Sequence, residues 1–362
     1  MKKYFDAISG VDREWSADLL RLALRLASLP YAAATELRNL GFNQGVIRTQ
    51  SVSCPVLSIG NLTTGGTGKT PTVAWLVRQL LHLGCRPAII SRGYRSLDGE
   101  ENDEKRLLDD LCPGVPHLQH RHRFTAAQKV LQSTDINAIV LDDGFQHRQL
   151  HRDLDFVLID ALNPWGFNAL LPRGLLRERL GQLARADVVF ITRCELAGDE
   201  QVVQIQQQIR RRTAAPILRT AFQATQFVNS TGATLPLEQV AERQTVAFCG
   251  IGNPEGFQRA LARLAAGISA ENFLCYPDHH HYSDADLRRI CERAESQQAE
   301  FLLTTRKDLV KIRQDQLGRV PLWALDIQLT FLDDPTLLIG MLRTLFPEQS
   351  VQDDVPPPVS LS

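Results

Sequence analysis

None of the seven cysteines sits in a CxxC pair; Cys54, Cys85, Cys112, Cys194, Cys249, Cys275 and Cys291 stand apart. That scatter excludes a zinc site built from cysteine pairs and a disulfide framework, and it suits buried thiols in a reducing compartment. Long apolar runs are missing too. The longest charge-free apolar piece, Leu26 to Thr35, has ten residues and contains Pro30; a spanning helix needs roughly 20. Neither a transmembrane helix nor a signal peptide is expected. Net charge is nearly absent: 40 Lys and Arg against 41 Asp and Glu leave −1, so no global positive field holds nucleic acid. No repeat of fixed period occurs. What remains is a 362-residue chain, 44% hydrophobic and 22% charged, an ordinary globular composition at a length that suits two domains.

Residues 1 to 49 carry Leu19, Leu20, Leu22, Leu24 and Leu26 with Arg21, Arg25 and Arg38. This pattern predicts an amphipathic helix, docked either on a membrane surface or on its own domain. From Pro55 onward short apolar runs alternate with helical patterns. Val56 to Ile59, Ala88 to Ser91, Ile136 to Leu141, Phe156 to Asp160 and Val188 to Thr192 read as strands, and Thr72 to Leu83 as a helix stopped by Gly84. The alternation predicts an α/β fold, a P-loop kinase-type, mostly parallel sheet with helices on both faces, over residues 50 to 220. Residues 221 to 244 are polar and turn-rich, a linker or β-ribbon. A second, smaller α/β domain is expected over 245 to 346, and a disordered tail with the run Pro356 to Pro358 after it.

The most specific stretch is Gly60 to Pro71, GNLTTGGTGKTP, between an expected strand and an expected helix. Gly65, Gly66 and Gly68 let backbone N–H groups approach phosphate oxygens closely. Thr63, Thr64 and Thr67 complete the loop. Lys69 supplies charge to the β- and γ-phosphates and Thr70 a hydroxyl to Mg²⁺. The usual spacing puts glycine where Thr63 stands. A phosphate loop needs a carboxylate at the end of a neighbouring strand, and Asp142 and Asp143 follow the apolar run Ala138 to Leu141. ATP and Mg²⁺ are the expected cofactors.

Beside this loop stand SRGY (91–94), DDGFQHRQLHRDLD (142–155), LLPRGLLRE (170–178), PDHH (277–280) and TTRKDLVKI (304–312). Together these motifs resemble the tetraacyldisaccharide 4′-kinase (lipid A 4′-kinase) family over about residues 52 to 345. The resemblance implies transfer of the ATP γ-phosphoryl group to the 4′-hydroxyl of an acylated glucosamine disaccharide 1-phosphate, forming lipid IVA. It also implies peripheral contact with the inner leaflet at the cytoplasmic face of the inner membrane, or a cytoplasmic location. No nucleic acid or protein partner is indicated.

The acceptor alcohol must lose a proton, so a carboxylate base is expected. The family's Gly-Asp-Glu-Pro motif matches Asn102-Asp103-Glu104-Lys105, which makes Asp103 the base candidate, with Glu101 and Glu104 as fallbacks. Its histidine partner maps to His279, within the run His279, His280, His281. Arg177 is carried over as a catalytic residue, Glu178 as a residue near Mg²⁺, and Arg123, Gln146 and His147 as further site residues. Arg179 and Arg185 read as solvated, and His117, His120 and His122 as a basic surface loop. Arg306 stands where the family has Glu. A P-loop kinase of another glycolipid or sugar, or a non-kinase P-loop ATPase with no need of Asp103, remain the alternatives.

Overall fold

The computed structural model describes residues 2–12, 14–93, 103–133, 135–264 and 270–347. Tyr94, Glu101, Asn102 and the tail from 348 lie outside them. The chain divides into two compact units, 1–94 with 112–221 and 331–362, and 95–111 with 222–330.

The first unit contains α1 (Lys2–Ser9), α2 (Trp15–Asn43), β1 (Val56–Asn61), α3 (Lys69–His82) and β2 (Pro87–Ser91). The chain crosses to the second unit for α4 (Asp103–Leu111). It returns for β3 (His117–Gln119), α5 (Arg123–Ser133), β4 (Ala138–Asp142), β5 (Leu154–Asp160), β6 (Val188–Thr192), α6 (Asp199–Arg210) and the start of β7 (Ile217–Val228). Strand order is β7-β6-β5-β1-β4-β2-β3, every neighbour parallel. The expected α/β architecture forms. Strands β1, β2, β4 and β6 are buried at every residue, as unbroken apolar runs in a parallel sheet demand. The chain leaves β1 toward β2 and β3, comes back to β4, then jumps to β5 on the other side of β1. That reversal makes β1 the topological switch point, where α/β sheets take their ligands.

Helix α3 ends as its sequence requires. Gly84 (φ 73) donates to Leu81 O at 2.9 Å and Cys85 to Leu80 O at 2.9 Å, the paired bonds of a Schellman motif. Helix α2 turns inward a stripe of small and polar residues, Ser28, Ala32, Thr35 and Asn39, spaced 4, 3 and 4. Its leucines face out: Leu22, Leu26 and Leu29 are 55%, 59% and 63% exposed. Ser28 Oγ donates to Leu170 O (3.1 Å) and Tyr31 OH to Arg177 O (2.9 Å), so the helix rests on the 170–178 segment.

The second unit holds the rest of β7, then β8 (Thr234–Leu235), α7 (Glu238–Ala241), β9 (Thr245–Cys249), α8 (Pro254–Leu264), β10 (Phe273–Cys275), α9 (Asp284–Ser296), β11 (Phe301–Thr305), α10 (Arg306–Ile312), β12 (Gln316–Leu317) and β13 (Val320–Phe331). Strands β10-β9-β11-β13 run parallel, β12 is antiparallel to β13, and β8 is antiparallel to β7. Its core joins Val246, Phe248, Ile290, Leu302 and Leu322. Helix α9 opens with a capping box between Ser283 and Asp286. The last helix, α11 (Thr336–Leu345), belongs to the first unit.

Candidate active site

The loop after β1 bends through Gly65 (φ 114) and Gly68 (φ 90), conformations that side chains resist. Thr63 takes the place of a glycine without strain because it bridges Leu176 antiparallel, in extended backbone that tolerates a Cβ. Thr64 N–H donates to Leu175 O at 2.7 Å and Arg177 N–H to Leu62 O at 2.7 Å. The LLPRGLLRE segment thus backs the phosphate loop and delivers Arg177 to it. Lys69 and Thr70 open α3, so the positive end of the helix dipole lies at the phosphate loop, a geometry that suits an anion.

Asp143 stands opposite. It follows β4 in the left-handed region (φ 56). Arg177 grips it bidentately, Nη1 to Oδ2 and Nη2 to Oδ1, both at 2.8 Å, and Lys69 Nζ lies 3.6 Å from Oδ1. Burial pushes the Asp143 pKa up, but Lys69, Arg177 and Arg123 outweigh it and hold the carboxyl far below the usual range. Two glycines permit the approach. A Cβ on Gly144 would lie 2.5 Å from Ser58 Oγ, and one on Gly60 2.6 Å from Phe145 Cβ. Asp142 closes β4, nearly buried.

Asn61, the last residue of β1, joins these groups. Its Nδ2 donates to Thr67 Oγ1 (2.9 Å), its Oδ1 accepts from Lys69 Nζ (3.4 Å) and from Arg177, and its backbone O accepts from Gln146 Nε2 (3.0 Å). Sequence reasoning missed Asn61, although it lies inside the motif. Arg123 heads α5 and is 3% exposed. Burial lowers its pKa to about 10, opposed by Asp143 and Asp142. His147 is pulled down to about 4 by burial and then by Arg123, Arg152, Arg92 and His122, so it is neutral at pH 7. Lys69, Thr70, Asp142, Asp143, Gln146, His147, Arg123 and Arg177 therefore belong to one unit, with Asp143, Lys69, Arg177 and Asn61 in direct contact.

Glu178 departs from its expected place near the cation. It is fully buried and both oxygens are taken by guanidiniums, Oε1 by Arg38 of α2 (2.5 Å) and Oε2 by Arg185. Successive residues of an extended segment point to opposite sides, so Arg177 reaches Asp143 while Glu178 ties α2 to the core. Arg185 is accordingly not solvated. It lies 4.1 Å from the Phe145 ring centroid and donates to Phe145 O (3.2 Å). Arg179 is exposed and pairs with Glu36. His117 opens β3 rather than a surface loop, with Nε2 2.9 Å from Ser91 Oγ.

Asp103 and His279 belong to the second unit. Asp103 is the first residue of α4. His279 sits in a turn at φ 59, its N–H donating to Gly250 O (3.2 Å), with Lys307 Nζ 3.3 Å from Nε2. Burial and Lys307 lower its pKa, while Asp278 and Glu104 raise it. His280 is committed elsewhere, stacked on Tyr276 and 3.1 Å from the capping carboxylate of Asp286. Arg306 pairs with Asp326 at 3.1 Å and Lys105 with Asp109 at 2.6 Å, so both departures from the family pattern serve local ion pairs.

Among the described residues no three His, Cys, Asp or Glu side chains are placed to hold a metal ion, and no helix is long and apolar enough to cross a membrane. The family model Tetraacyldisaccharide-1-P 4′-kinase matches residues 20–346. A tetraacyldisaccharide 4′-kinase of Syntrophus aciditrophicus is 36% identical over 334 residues, covering 85% of this chain and 88% of its own length. One from Geobacter sulfurreducens is 35% identical over 355 residues, 93% and 97% of the two chains. A crystal structure of LpxK from Aquifex aeolicus in complex with ATP aligns with TM-score 0.71 at 27% identity, covering 90% of this chain and 99% of that one. The chain therefore belongs to the tetraacyldisaccharide-1-P 4′-kinase family, a family of phosphotransferase enzymes.

Proposed function

We propose that the chain transfers the γ-phosphoryl group of ATP to the 4′-hydroxyl of an acylated glucosamine disaccharide 1-phosphate, forming lipid IVA at a membrane surface. The observation that carries this is the cluster of Lys69, Asn61, Asp143 and Arg177 on the phosphate loop at the switch point of the sheet. Phosphoryl transfer needs little covalent help from a protein; it needs positioning and neutralised charge.

The oxygen donors suit Mg²⁺, a hard cation that takes hydroxyl, carboxylate, phosphate and water. Thr70 and one of the paired aspartates, Asp142 and Asp143, would hold it. Bound there, it neutralises charge on the β- and γ-phosphates. Asp143 is engaged by Arg177 and Lys69, so Asp142 is the carboxylate assigned to the cation and its waters. Arg177 and Lys69 are then cations shared between Asp143 and the developing charge on the phosphoryl oxygens. Arg123 and neutral His147 line the same side, and Gln146 fixes the Asn61 carbonyl.

Asp103 is assigned as the base that takes the acceptor's proton, oriented with His279. Both residues lie in one unit, and the charge of Glu104, next to Asp103, acts on His279. His280 is held by the α9 cap, which favours His279 as the partner. The outward leucine stripe of α2 supports peripheral contact with the inner leaflet at the cytoplasmic face, because it presents apolar surface while the helix is anchored by small residues.

The test is transfer of labelled γ-phosphate from Mg-ATP to tetraacyldisaccharide 1-phosphate in detergent micelles. Wild type is expected to transfer, and Asp103→Ala to lose at least about a hundredfold, the usual contribution of a general base. Nucleotide binding without transfer would discard this acceptor. Full turnover in Asp103→Ala would discard the base.

A further inference from the structure

The phosphate loop has two flanks, and they differ in chemistry. On the β4 side stand Asp142, Asp143, Arg123 and His147, charges suited to a cation and a migrating phosphoryl group. A triphosphate lying in the loop with its reacting end on that side must send its nucleoside to the other, over the ends of β5 and β6. There the first residue beyond β6 is Arg193, held in the left-handed region at φ 59. A residue other than glycine pays for that conformation, and such outliers collect at ligand sites; Asp143, on the opposite flank, is another.

Arg193 is tied down before any ligand arrives. Nη2 donates to the phosphate-loop carbonyl of Gly66 at 2.5 Å, and Nη1 pairs with Asp160 at the end of β5. Its neighbour Thr192 donates from Oγ1 to Thr67 O at 2.9 Å. These bonds run in the guanidinium plane and occupy its edge. A guanidinium whose edge is engaged can still stack a face on an aromatic ring. Asp160 is locked as well, its Oδ1 accepting from Leu162 N–H at 3.1 Å. The side chains of Arg193 and Asp160 are each 15% exposed.

We infer that Arg193 is the nucleobase platform of this site: its edge braces Gly66 while its face takes the purine ring of the bound nucleotide. This rests on the ATP reading above. It assigns a residue to the nucleoside half of the ligand, whereas the groups already described address phosphate, cation and acceptor.

The experiment compares ATP with inorganic tripolyphosphate, which has the phosphates and no base. Both compete against a fluorescent ATP analogue on wild type, Arg193→Ala and Arg193→Lys, with thermal melts confirming the fold. The lysine variant keeps a donor for Gly66 and lacks the flat face. Arg193→Lys is expected to bind ATP about tenfold more weakly, the size of a partly desolvated cation–π stack, with tripolyphosphate changed less than about threefold. Arg193→Ala, which also loses the brace on Gly66, weakens both and ATP the more. In turnover, KM for ATP rises while KM for the acceptor holds. Equal losses for ATP and tripolyphosphate in Arg193→Lys would make Arg193 a brace of the loop alone and overturn the platform. Unchanged ATP affinity would overturn it too. A wild type that binds neither ligand would overturn the nucleotide reading itself, and this inference with it.

Discussion

Replacing Glu178 by Gln tests the assignment that most separates framework from catalysis. The carboxylate has no exposed surface and faces two guanidiniums. The Arg38 side chain is 39% exposed and can turn to water, so its share is at most about 1 kcal/mol. Arg185 cannot turn away, because it is held against Phe145 and its backbone carbonyl. Burial already lowers the Arg185 pKa to about 10 with Glu178 beside it. Removing one partner of a buried pair costs about 3–5 kcal/mol, and a glutamine that keeps some hydrogen bonds falls at the low end, about 3. At about 2–4 °C per kcal/mol, the melting temperature drops by roughly 6–12 °C. Thermal and urea denaturation followed by circular dichroism read this directly, with the Mg²⁺ dependence of transfer measured alongside. A cation ligand behaves in the opposite way: its loss raises the Mg²⁺ requirement and leaves the melt near wild type. That second pattern would refute the reasoning. Adding Arg185→Met to Glu178→Gln is expected to recover part of the loss, because no unpaired charge then stays buried.

Two further outcomes follow from the same geometry. Leu22, Leu26 and Leu29 are more than half exposed, so changing all three to Gln should leave the melt within about 2 °C of wild type. Vesicle co-sedimentation should fall about tenfold or more, since each leucine gives up burial worth about 1 kcal/mol or more in lipid. His147 predicts a pH dependence. Its folded pKa near 4 lies below its ordinary 6.5, so between those values the unfolded chain binds a proton that the native chain refuses. Stability is then fully present above about pH 6.5 and declines as pH falls toward 4. Urea midpoints at pH 7, 6 and 5 should fall in that order, and His147→Gln should flatten the slope.

Much of the nucleotide site is legible in the sequence because its parts are local. Gly65, Gly68, Lys69 and Thr70 work through backbone turns and a helix start, which neighbouring residues dictate. The aspartates at the end of β4 are legible for the same reason. Asn61 is harder, because a strand-end asparagine becomes a hub only when Thr67, Lys69, Gln146 and Arg177 converge on it. Glu178 misled because adjacent charges in LLPRGLLRE look alike in a string, and Arg185 because its cover, the Phe145 ring and carbonyl, comes from 40 positions away. Only the extended backbone decides that Arg177 faces the phosphate loop and Glu178 faces α2.

Helix α2 shows the same division. Leucine spacing announces an amphipathic helix, yet which face is buried depends on what it meets. It meets the 170–178 segment through Ser28, Tyr31 and Arg38, and close backbone approach selects the small stripe, leaving the leucines outside. The sequence by itself determined the parallel α/β sheet, through unbroken apolar runs and glycine turns, and the phosphate loop with its aspartates. The tertiary structure decided which distant charges become partners. An ion pair such as Arg177 with Asp143 or Glu178 with Arg38 joins residues 34 and 140 positions apart, and their meeting depends on strand order and chain reversal, which no local pattern encodes.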